Sequence, residues 1–413
     1  MNYKLLFFLI LNGFYANSQE FSEWRGSGRT GVYSNEKNLL KEWPAEGPKL
    51  LWVNESIPKG YASVAIANQM IYTTGTQNSN DVVIAFDMQG MQKWQTAYGR
   101  CWDSSYDQSR STPSVENDRL YVSSGLGDVA CLNALSGEII WQVKANEKFD
   151  GTAGRFGISE SLLIVGDKVI YTPGGEKTTM VALNKITGKT VWQSESLNDN
   201  QSYASPLLID HNGKKIITQF TENYFFGVDP DTGNILWKFK FGDYKPEKAR
   251  NNQTNTPLYN KGEIFLTSGY DHQSVMLKLA DDGNSVSVKW VDSVLDVHHG
   301  GMVLVDGHIY GANWIHNRMG NWACLNWETG KVTFNTEWEN KGSIISADGM
   351  LYCYEEKHGN IALVSVNPEK FEVISSFKVP YGDGQHWGHL VINNGILYVR
   401  HENALMAYDI KKQ

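Results

Sequence analysis

The sequence predicts an all-β fold: an eight-bladed β-propeller of four-stranded blades, whose last blade is closed by an N-terminal strand. Three observations lead to this prediction. A tryptophan-marked repeat runs through most of the chain, its copies recur about every 43 to 53 residues, and partial copies stand at both ends. The 39 glycines and the 12% aromatic residues in 413 positions are typical of many short strands joined by tight turns.

The repeat unit is a short apolar strand, then a small residue with Asp or Asn two positions later, a glycine turn and an aromatic residue. The clearest copies end in Thr-Gly-Lys-Thr-Val-Trp and Thr-Gly-Asn-Ile-Leu-Trp. The Asx-to-Gly stretch predicts a turn between the third and fourth strands, with glycine at positive φ. The aromatic ring needs a large half-buried slot between neighbouring blades. The seven aromatic positions are Trp94, Trp141, Trp192, Trp237, Trp290, Phe334 and Phe377.

Two end fragments supply the eighth blade. Residues 387–410 provide three strands, and Leu50-Leu51-Trp52 resembles the missing fourth strand. Joining them closes the ring and removes exposed sheet edges. We therefore expect an N-terminal extension over residues 19–48 and the propeller over residues 49–413. Gly26, Gly28 and Gly31 match a dinucleotide-binding glycine pattern, but no strand precedes them and no helix follows, so we expect no such site.

The first 18 residues have the features of an export signal. Lys4 precedes an apolar run over residues 5–11, and Ala16-Asn17-Ser18 forms a small-x-small cleavage site. The run is too short to span a bilayer, and no cysteine stands at the cleavage site. We expect an exported protein, periplasmic or secreted, without a lipid anchor. With a net charge of −8 and no basic stripe, we expect no nucleic-acid partner.

Four cysteines are present, and an exported protein could pair them in three ways that the sequence leaves open. Cys131 and Cys324 occupy equivalent repeat positions, each followed by Leu-Asn. Other repeats have Ala85 or Ala182 there, which favours a small buried strand residue at both positions.

The candidate site follows from the propeller geometry, because inner strands converge on a central funnel. Counting back from the aromatic residue of each second strand gives eight equivalent positions near the funnel mouth: Tyr61, Arg110, Glu160, Tyr203, Thr254, His299, Lys341 and Trp387. Three more histidines are nearby: His298, His386 and His389. Polar and aromatic groups converging in a concavity indicate a binding site. The alternative is that these residues only face water at an open mouth.

The catalytic candidates fit acid–base chemistry of the β-elimination type. His299 or His389 could remove a proton, and Tyr61 or Tyr203 could protonate the leaving oxygen. The leaving group would be a sugar for a lyase or water for a dehydratase.

The substrate-binding candidates fit an acidic sugar. Arg110 and Lys341 could neutralise a uronate carboxylate, and Trp387 could stack on a sugar ring. The remaining candidates are Glu160, His298 and His386. The four clustered histidines could also bind a transition metal, but no carboxylate or thiolate spacing supports it, so we predict no metal.

The tryptophan-and-glycine repeats resemble the pyrroloquinoline-quinone-like (PQQ-like) β-propeller repeat family over nearly all of the chain after the signal. That family includes quinoprotein alcohol dehydrogenases, the lipoprotein of the outer-membrane barrel-assembly machinery and many secreted proteins. The resemblance implies the propeller fold, and it implies either PQQ with calcium or a protein partner. The large quinoproteins have two adjacent cysteines over the quinone, whereas this sequence has none and also lacks a Cys-x-x-Cys-His haem motif.

Three functions are therefore consistent with the sequence. The first is a cofactor-free lyase or dehydratase acting on an oligosaccharide or another small molecule in the funnel. The second is a non-catalytic glycan-binding or assembly scaffold with a protein partner. The third is a PQQ-dependent alcohol dehydrogenase. The first two need no cofactor, and none of the three needs a membrane span.

Overall fold

The computed structural model describes residues 21–412, which form eight β-sheets arranged as the blades of a propeller. This confirms the predicted fold class and the number of blades. The predicted signal peptide, residues 1–18, lies outside the described residues. Six sheets have four strands, and two have a fifth strand added from the N-terminal segment.

The N-terminal segment carries β1 (Phe21–Ser22), β2 (Val32–Tyr33) and β3 (Lys49–Asn54). Blade 1 contains β4 (Ala65–Ala67), β5 (Met70–Gln77), β6 (Asn80–Asp87) and β7 (Gln92–Arg100), and blade 2 contains β8 (Ser114–Glu116), β9 (Arg119–Ser123), β10 (Asp128–Asn133) and β11 (Ile139–Lys144). Blade 3 contains β12 (Leu163–Val165), β13 (Lys168–Tyr171), β14 (Val181–Asn184) and β15 (Thr190–Gln193), and blade 4 contains β16 (Leu207–His211), β17 (Lys214–Phe220), β18 (Phe225–Val228) and β19 (Ile235–Phe239).

Blade 5 contains β20 (Leu258–Asn260), β21 (Glu263–Leu266), β22 (Ser274–Leu279) and β23 (Val286–Asp292), and blade 6 contains β24 (Val297–Val305), β25 (His308–Asn313), β26 (Trp322–Asn326) and β27 (Val332–Thr336). Blade 7 contains β28 (Gly342–Ala347), β29 (Met350–Glu355), β30 (Asn360–Ser365) and β31 (Val373–Lys378). Blade 8 completes the ring with β32 (Val391–Asn393), β33 (Ile396–His401) and β34 (Ala404–Asp409), together with β3. Among the described residues, helical structure is limited to α1 (Ala145–Phe149) and two 3-10 turns, Ser27–Arg29 and Phe241–Asp243. Within residues 21–412 no helix has the length and apolar character to cross a bilayer.

Blade 8 joins the two ends of the chain, as the sequence predicted. Strand β3 pairs antiparallel with β34, with Lys49 opposite Asp409 and Asn54 opposite Leu405. The sheet order β3-β34-β33-β32 places the N-terminal strand at the outer edge of the blade. Opening the ring would therefore require breaking a complete strand pair, which opposes separation of the two ends.

The N-terminal segment crosses the ring, whereas the sequence indicated only that it precedes the ring. Strand β1 extends blade 2 by pairing with β8, and β2 extends blade 7 by running parallel to β28. Between these two strands, the buried guanidinium of Arg29 donates to the carbonyls of Ser161 and Leu162 in blade 3. The short segment thus bridges blades on different sides of the propeller.

Five of the tryptophans connect their blade to the next one, whereas Trp237 packs on Gly227 of its own blade. The indole N–H of Trp94 donates to Ala134 O at 3.2 Å, and that of Trp141 donates to Lys185 O at 3.1 Å. The same bond recurs at Trp52, Trp192 and Trp290. The indole ring lies against the turn glycine of the next blade, so that a Cβ on Gly188 would lie 2.8 Å from Trp141. Glycine is thus required there both for its positive φ and for the space that the indole takes.

Cys131 and Cys324 are free thiols buried in the third strands β10 and β26, in line with the expected small buried residue. Each packs in a core cluster shared by its own blade and the next one. Cys101 and Cys353 are also buried and free.

We expect Gly188→Ala to destabilise the fold more than Gly166→Ala. Both glycines have positive φ, which costs alanine about 1–2 kcal/mol. Only at Gly188 would the new Cβ meet a ring, that of Trp141, whereas Gly166 has open space around it. Overpacking should add about 1–3 kcal/mol at Gly188, measured by urea unfolding. Equal losses in the two variants would contradict the proposed tryptophan–glycine contact.

Candidate functional site

A cavity of about 420 Å³ opens on the propeller axis where the inner strands begin. The loops that lead from the outer strand of one blade to the inner strand of the next form its walls. Backbone hydrogen bonds connect some of these loops around the mouth, including Tyr61 N to Ser109 O at 2.8 Å and Tyr203 N to Gln253 O at 2.9 Å. The volume lies within the range of small-molecule sites.

Eight of the eleven positions singled out in the sequence line this cavity: Tyr61, Arg110, Tyr203, Thr254, His298, His299, Trp387 and His389. Glu160, Lys341 and His386 do not line it. The structure thus brings residues of blades 1, 2, 4, 5, 6 and 8 to one concavity.

A long bulge at the start of β24 carries His298 and His299. Val297 pairs with Asn313 and Met302 with Gly311, so the four residues between Val297 and Met302 bulge out of the sheet ladder. The bulge ends in Gly300 and Gly301, and Gly301 has a φ of +68°. A Cβ on Gly300 would collide with the backbone of Gly342, so glycine is needed where this bulge approaches blade 7.

A chain of charged contacts runs from blade 7 to His299. Lys341 Nζ lies 2.6 Å from Glu356 Oε1, and His299 Nε2 lies 3.1 Å from Glu356 Oε2. The exposed fractions of the side chains are 2% for Lys341, 9% for Glu356 and 24% for His299. The ammonium of Lys341 also donates to the carbonyls of His316 and Asn317. Lys341 is therefore engaged beneath the site, Glu356 and His299 line the cavity, and His299 is the most exposed of the three.

Burial by itself raises the pKa of Glu356. The hydrogen bond with His299 and the charges of His299 and Lys341 outweigh burial and lower this pKa to about 2. The carboxylate therefore stays ionised over the whole physiological range and can stabilise a positive charge on His299.

His389 has both ring nitrogens occupied. Arg25 Nη1 donates to Nδ1 at 2.9 Å, and Nε2 lies 2.9 Å from the carbonyl oxygen of His299. Because arginine can only donate, Nδ1 must be the acceptor and Nε2 must carry the proton. Burial and the Arg25 charge lower the pKa of His389 to about 3, so the ring is neutral. Neither nitrogen is free to take a proton from a ligand in this arrangement.

His298 is held by a neighbouring aromatic residue. Its Nε2 lies 2.9 Å from the Tyr270 hydroxyl, and its ring lies edge-on to Tyr270 with centroids 4.9 Å apart. Burial, followed by the charge of His299, lowers the pKa of His298 well below its usual range. His298 is thus a neutral wall residue beside His299, with ring centroids 4.4 Å apart.

Aromatic rings form a belt around much of the mouth. Trp387 has ring contacts with His299, Tyr61 and Tyr106, at centroid distances of 5.2, 4.9 and 5.2 Å. The belt continues from Tyr106 to Phe156 at 6.1 Å, and from Phe156 to Tyr203 at 5.9 Å. Such faces can stack on planar or pyranose rings.

Three guanidinium groups line the same cavity, those of Arg110, Arg155 and Arg250. Arg250 lies over the Tyr270 ring at 5.6 Å and Arg155 over Phe156 at 5.5 Å. The acidic residue of the lining, Glu356, is already paired with Lys341. The cavity is therefore net positive and suits an anionic ligand.

The two candidate tyrosines keep their protons at neutral pH. Burial and then the charge of Glu402 raise the pKa of Tyr61, whose hydroxyl lies 3.0 Å from Gln108 Oε1 and 3.3 Å from Glu402 Oε1. Burial also raises the pKa of Tyr203. Both side chains are thus proton donors at neutral pH.

Glu160 and His386 are buried between blades, away from the cavity. Glu160 has no exposed surface, and its carboxylate lies near Gln219 Nε2 at 3.5 Å. His386 accepts or donates a 2.7 Å hydrogen bond with the Tyr354 hydroxyl and stacks on His401 at 3.7 Å. The spacing rule located the correct blades, but it could not tell which side chains turn inward.

Sequence reasoning missed several residues of the cavity, namely Glu356, Trp24, Tyr106, Arg155, Phe156, Arg250 and Tyr270. Glu356 directly follows the second strand of blade 7, so a carboxylate after a buried aromatic strand could have indicated it. Most of the others lie in long connecting loops, where no repeat position marks them. Trp24 belongs to the N-terminal segment, which lies outside the repeat pattern.

Comparison with known proteins assigns the family. The family described as "Outer membrane protein assembly factor BamB" matches residues 79–336, more than half of the chain. The chain belongs to this PQQ-like repeat family. The curated relatives of this propeller include BamB of Kangiella koreensis, 24% identical over 52% of the chain and 50% of BamB. They also include a quinoprotein ethanol dehydrogenase of Pseudomonas aeruginosa, 26% identical over 36% of the chain and 25% of the enzyme.

The solved structures agree on the fold. BamB from Moraxella catarrhalis has a TM-score of 0.64 with 15% identity, covering 88% of this propeller and 99% of BamB. A europium-containing methanol dehydrogenase has a TM-score of 0.51 with 11% identity, covering 90% and 88% of the two chains. The propeller spans about half or less of the length of the curated relatives it matches.

The residues of the cavity do not fit calcium with PQQ. Calcium takes six to eight oxygen ligands, commonly from several carboxylates. Glu356 is the carboxylate that lines the cavity among residues 21–412, and its two oxygens already contact Lys341 and His299. The four cysteines are buried singly, so the described residues offer no cysteine pair to cover a quinone.

His298, His299 and Glu356 each place a ligand atom within 4.8 Å of the other two, so this is where the funnel could hold a transition-metal ion. Two imidazoles and a carboxylate are a donor set that such ions accept. The ammonium of Lys341, 2.6 Å from the carboxylate, already neutralises it and disfavours a divalent cation. The reaction proposed below therefore uses no metal.

We expect Glu160→Gln to flatten the dependence of stability on pH. Burial raises the pKa of Glu160 to about 8, whereas an unfolded glutamate titrates near about 4.3. Between these values the folded state keeps a proton that the unfolded state releases, so the free energy of unfolding falls as pH rises from about 5 to 8. The variant should lose this fall, gaining about 1 kcal/mol or more at pH 8.5 relative to pH 5. Parallel stability curves for the two proteins would contradict the buried neutral carboxyl.

Proposed function

We propose that the funnel binds an acidic oligosaccharide and cleaves it by β-elimination, with His299 as the base. The observation that carries this proposal is the Lys341–Glu356–His299 chain, which ends in a cavity whose other walls are aromatic and cationic. An ionised carboxylate that orients an imidazole is the arrangement that general-base catalysis uses.

His299 would remove the proton next to the carboxylate of a uronate. His299 Nε2 lies 3.1 Å from Glu356 Oε2, so with the proton on Nε2 the other nitrogen, Nδ1, would be the proton acceptor. As the imidazole becomes positively charged, the ionised Glu356 stabilises it. Lys341 holds Glu356 in place beneath the site and does not contact the substrate.

The arginines would neutralise the uronate carboxylate, which makes the adjacent C–H more acidic. The electron pair of that C–H bond forms a carbon–carbon double bond, and the bond to the leaving oxygen breaks. Tyr61 or Tyr203, both protonated at neutral pH, would give that oxygen its proton. Trp387 would stack on the sugar ring beside His299. The predicted signal peptide would place this reaction outside the cytoplasm.

His299→Ala should lower kcat by about 10²–10⁴-fold or more, the usual contribution of a positioned proton-transfer group, and Glu356→Gln should lower kcat by a smaller factor because it removes only the supporting charge. The measurement is the ultraviolet absorbance of the new conjugated double bond, with oligomers of uronates of two to six units as substrates.

The matched control is His308→Ala. His308 lies on the same blade, in β25, with its Nδ1 3.0 Å from Asp306 O of its own turn, and it does not line the cavity. This variant should keep full activity. Binding of the uronates without any rise in absorbance would reduce the proposal to a glycan-binding module, and activity in His299→Ala would remove His299 as the base.

A further inference from the structure

Two cavities lie on the propeller axis, one above the other, and the N-terminal segment separates them. The first is the site described above. The second, of about 430 Å³, is lined by inner-strand residues that include Leu207, Ile209, Leu258 and Leu304. Along blade 4, Tyr203 and Ser205 face the first cavity, while Leu207 and Ile209 face the second. The two cavities thus occupy successive depths of one channel.

The segment contributes to both cavities from opposite sides. Trp24 lines the first cavity, whereas Ser27, Gly28, Thr30, Val32 and Ser34 line the second. The chain therefore passes between the cavities within residues 24–34 and forms the floor of one and the roof of the other.

Arg25, near the start of the crossing, anchors it, and this residue is 4% exposed. Its guanidinium donates to the carbonyls of Met302 in blade 6 and Ile344 in blade 7, and to His389 in blade 8. Gly31 and Gly301 leave space for this guanidinium, since a Cβ on either would collide with it.

The rest of the crossing is also held by hydrogen bonds to the blades. Arg29 bonds the carbonyls of Ser161 and Leu162 in blade 3, and Arg29 is paired with Glu23 at 3.0 Å. The backbone of Gly31 accepts from Ser346 N at 2.8 Å, where β2 joins blade 7. Together with β1 on blade 2, these contacts hold the crossing on five blades. Such a floor is part of the folded ring and opens only at the cost of many buried hydrogen bonds.

We infer that the N-terminal segment turns the funnel into a blind pocket, so that its ligand is the end of an acidic sugar chain and not an internal stretch of it. This inference rests on the proposed function, since it names the part of the substrate that the same site takes. A chain can enter only through the mouth, past the aromatic belt, and its first unit stops at Trp24 above Arg25. A chain threaded through the axis would have to displace the segment.

The test compares two probes of equal chemistry, one with ends and one without. Linear maltoheptaose oxidised to carboxylate at C6 has chain ends, and β-cyclodextrin oxidised in the same way has seven equivalent units and no end. Binding is measured by titration calorimetry and by tryptophan fluorescence. We expect the linear probe to bind at least about tenfold more tightly, which corresponds to about 1.4 kcal/mol. Equal affinities would overturn the inference.

Variants locate the chain end. Trp24→Ala should weaken binding of the linear probe about three- to tenfold by removing one ring face, with no effect on the cyclic probe. The control is Trp338→Ala, whose ring packs against Trp322 and Phe371 outside the cavity lining, and which should bind both probes as the parent protein does. An unchanged affinity in Trp24→Ala would contradict a ligand that reaches the floor.

A second measurement needs no ligand, so that failure of the proposed function and failure of this inference can be told apart. Amide hydrogen exchange should be slow at Gly31, whose N–H donates to Arg25 O, and at Ser346 of β28, whose N–H donates to Gly31 O. If neither probe binds while these amides are protected, the acidic-sugar function is wrong and the blind pocket stands. Rapid exchange of residues 24–33 would show that the floor is open in solution and would overturn the inference.

Discussion

The contact between a tryptophan and the glycine turn of the next blade is the interaction on which the rest of the molecule depends, and it is made by Trp52, Trp94, Trp141, Trp192 and Trp290. A four-stranded sheet has two faces and cannot bury both alone, so each blade needs a neighbour. The indole supplies a flat surface and one directed N–H, as in Trp141 with Lys185 O and Gly188. Repetition of this contact fixes the angle between successive blades. Where phenylalanine replaces tryptophan, as at Phe377 against Gly47, the packing remains and the hydrogen bond is lost.

Because the ring is closed, the inner strands of the repeated blades surround one central site. The loops that enter the inner strands all meet at the axis. The aromatic belt from His299 through Trp387 and Tyr106 to Tyr203 is assembled from residues far apart in the chain. The N-terminal segment crosses the channel below this belt. Its arginines donate to backbone carbonyls near the start of inner strands in blades 3, 6 and 7.

Buried charge around the axis is arranged so that only selected groups remain reactive. Arg25 donates to Nδ1 of His389 and so fixes the tautomer of that ring. Nε2 of His389 bonds the carbonyl oxygen of His299, so both ring nitrogens are occupied. Lys341 neutralises Glu356 from beneath. His299 is left with an oriented ring, a charged partner and contact with the cavity. A buried ion must be paired with an opposite charge, as Lys341 and Glu356 are. His299, the most exposed of the three groups, is the one available for chemistry.

The sequence by itself determined the fold, the number of blades and the closure by Leu50–Trp52, because all three follow from the spacing of tryptophan and glycine, which local turn geometry and blade packing require. It also identified the blades that carry His299, Tyr203 and Trp387. Only the tertiary structure decided which side chains enter the cavity. Glu160 and Lys341 occupy equivalent repeat positions yet turn into the protein to be buried or paired. Glu356, Trp24 and Arg25 follow no repeat, and their role depends on contacts between blades and segments distant in sequence, which no local pattern encodes.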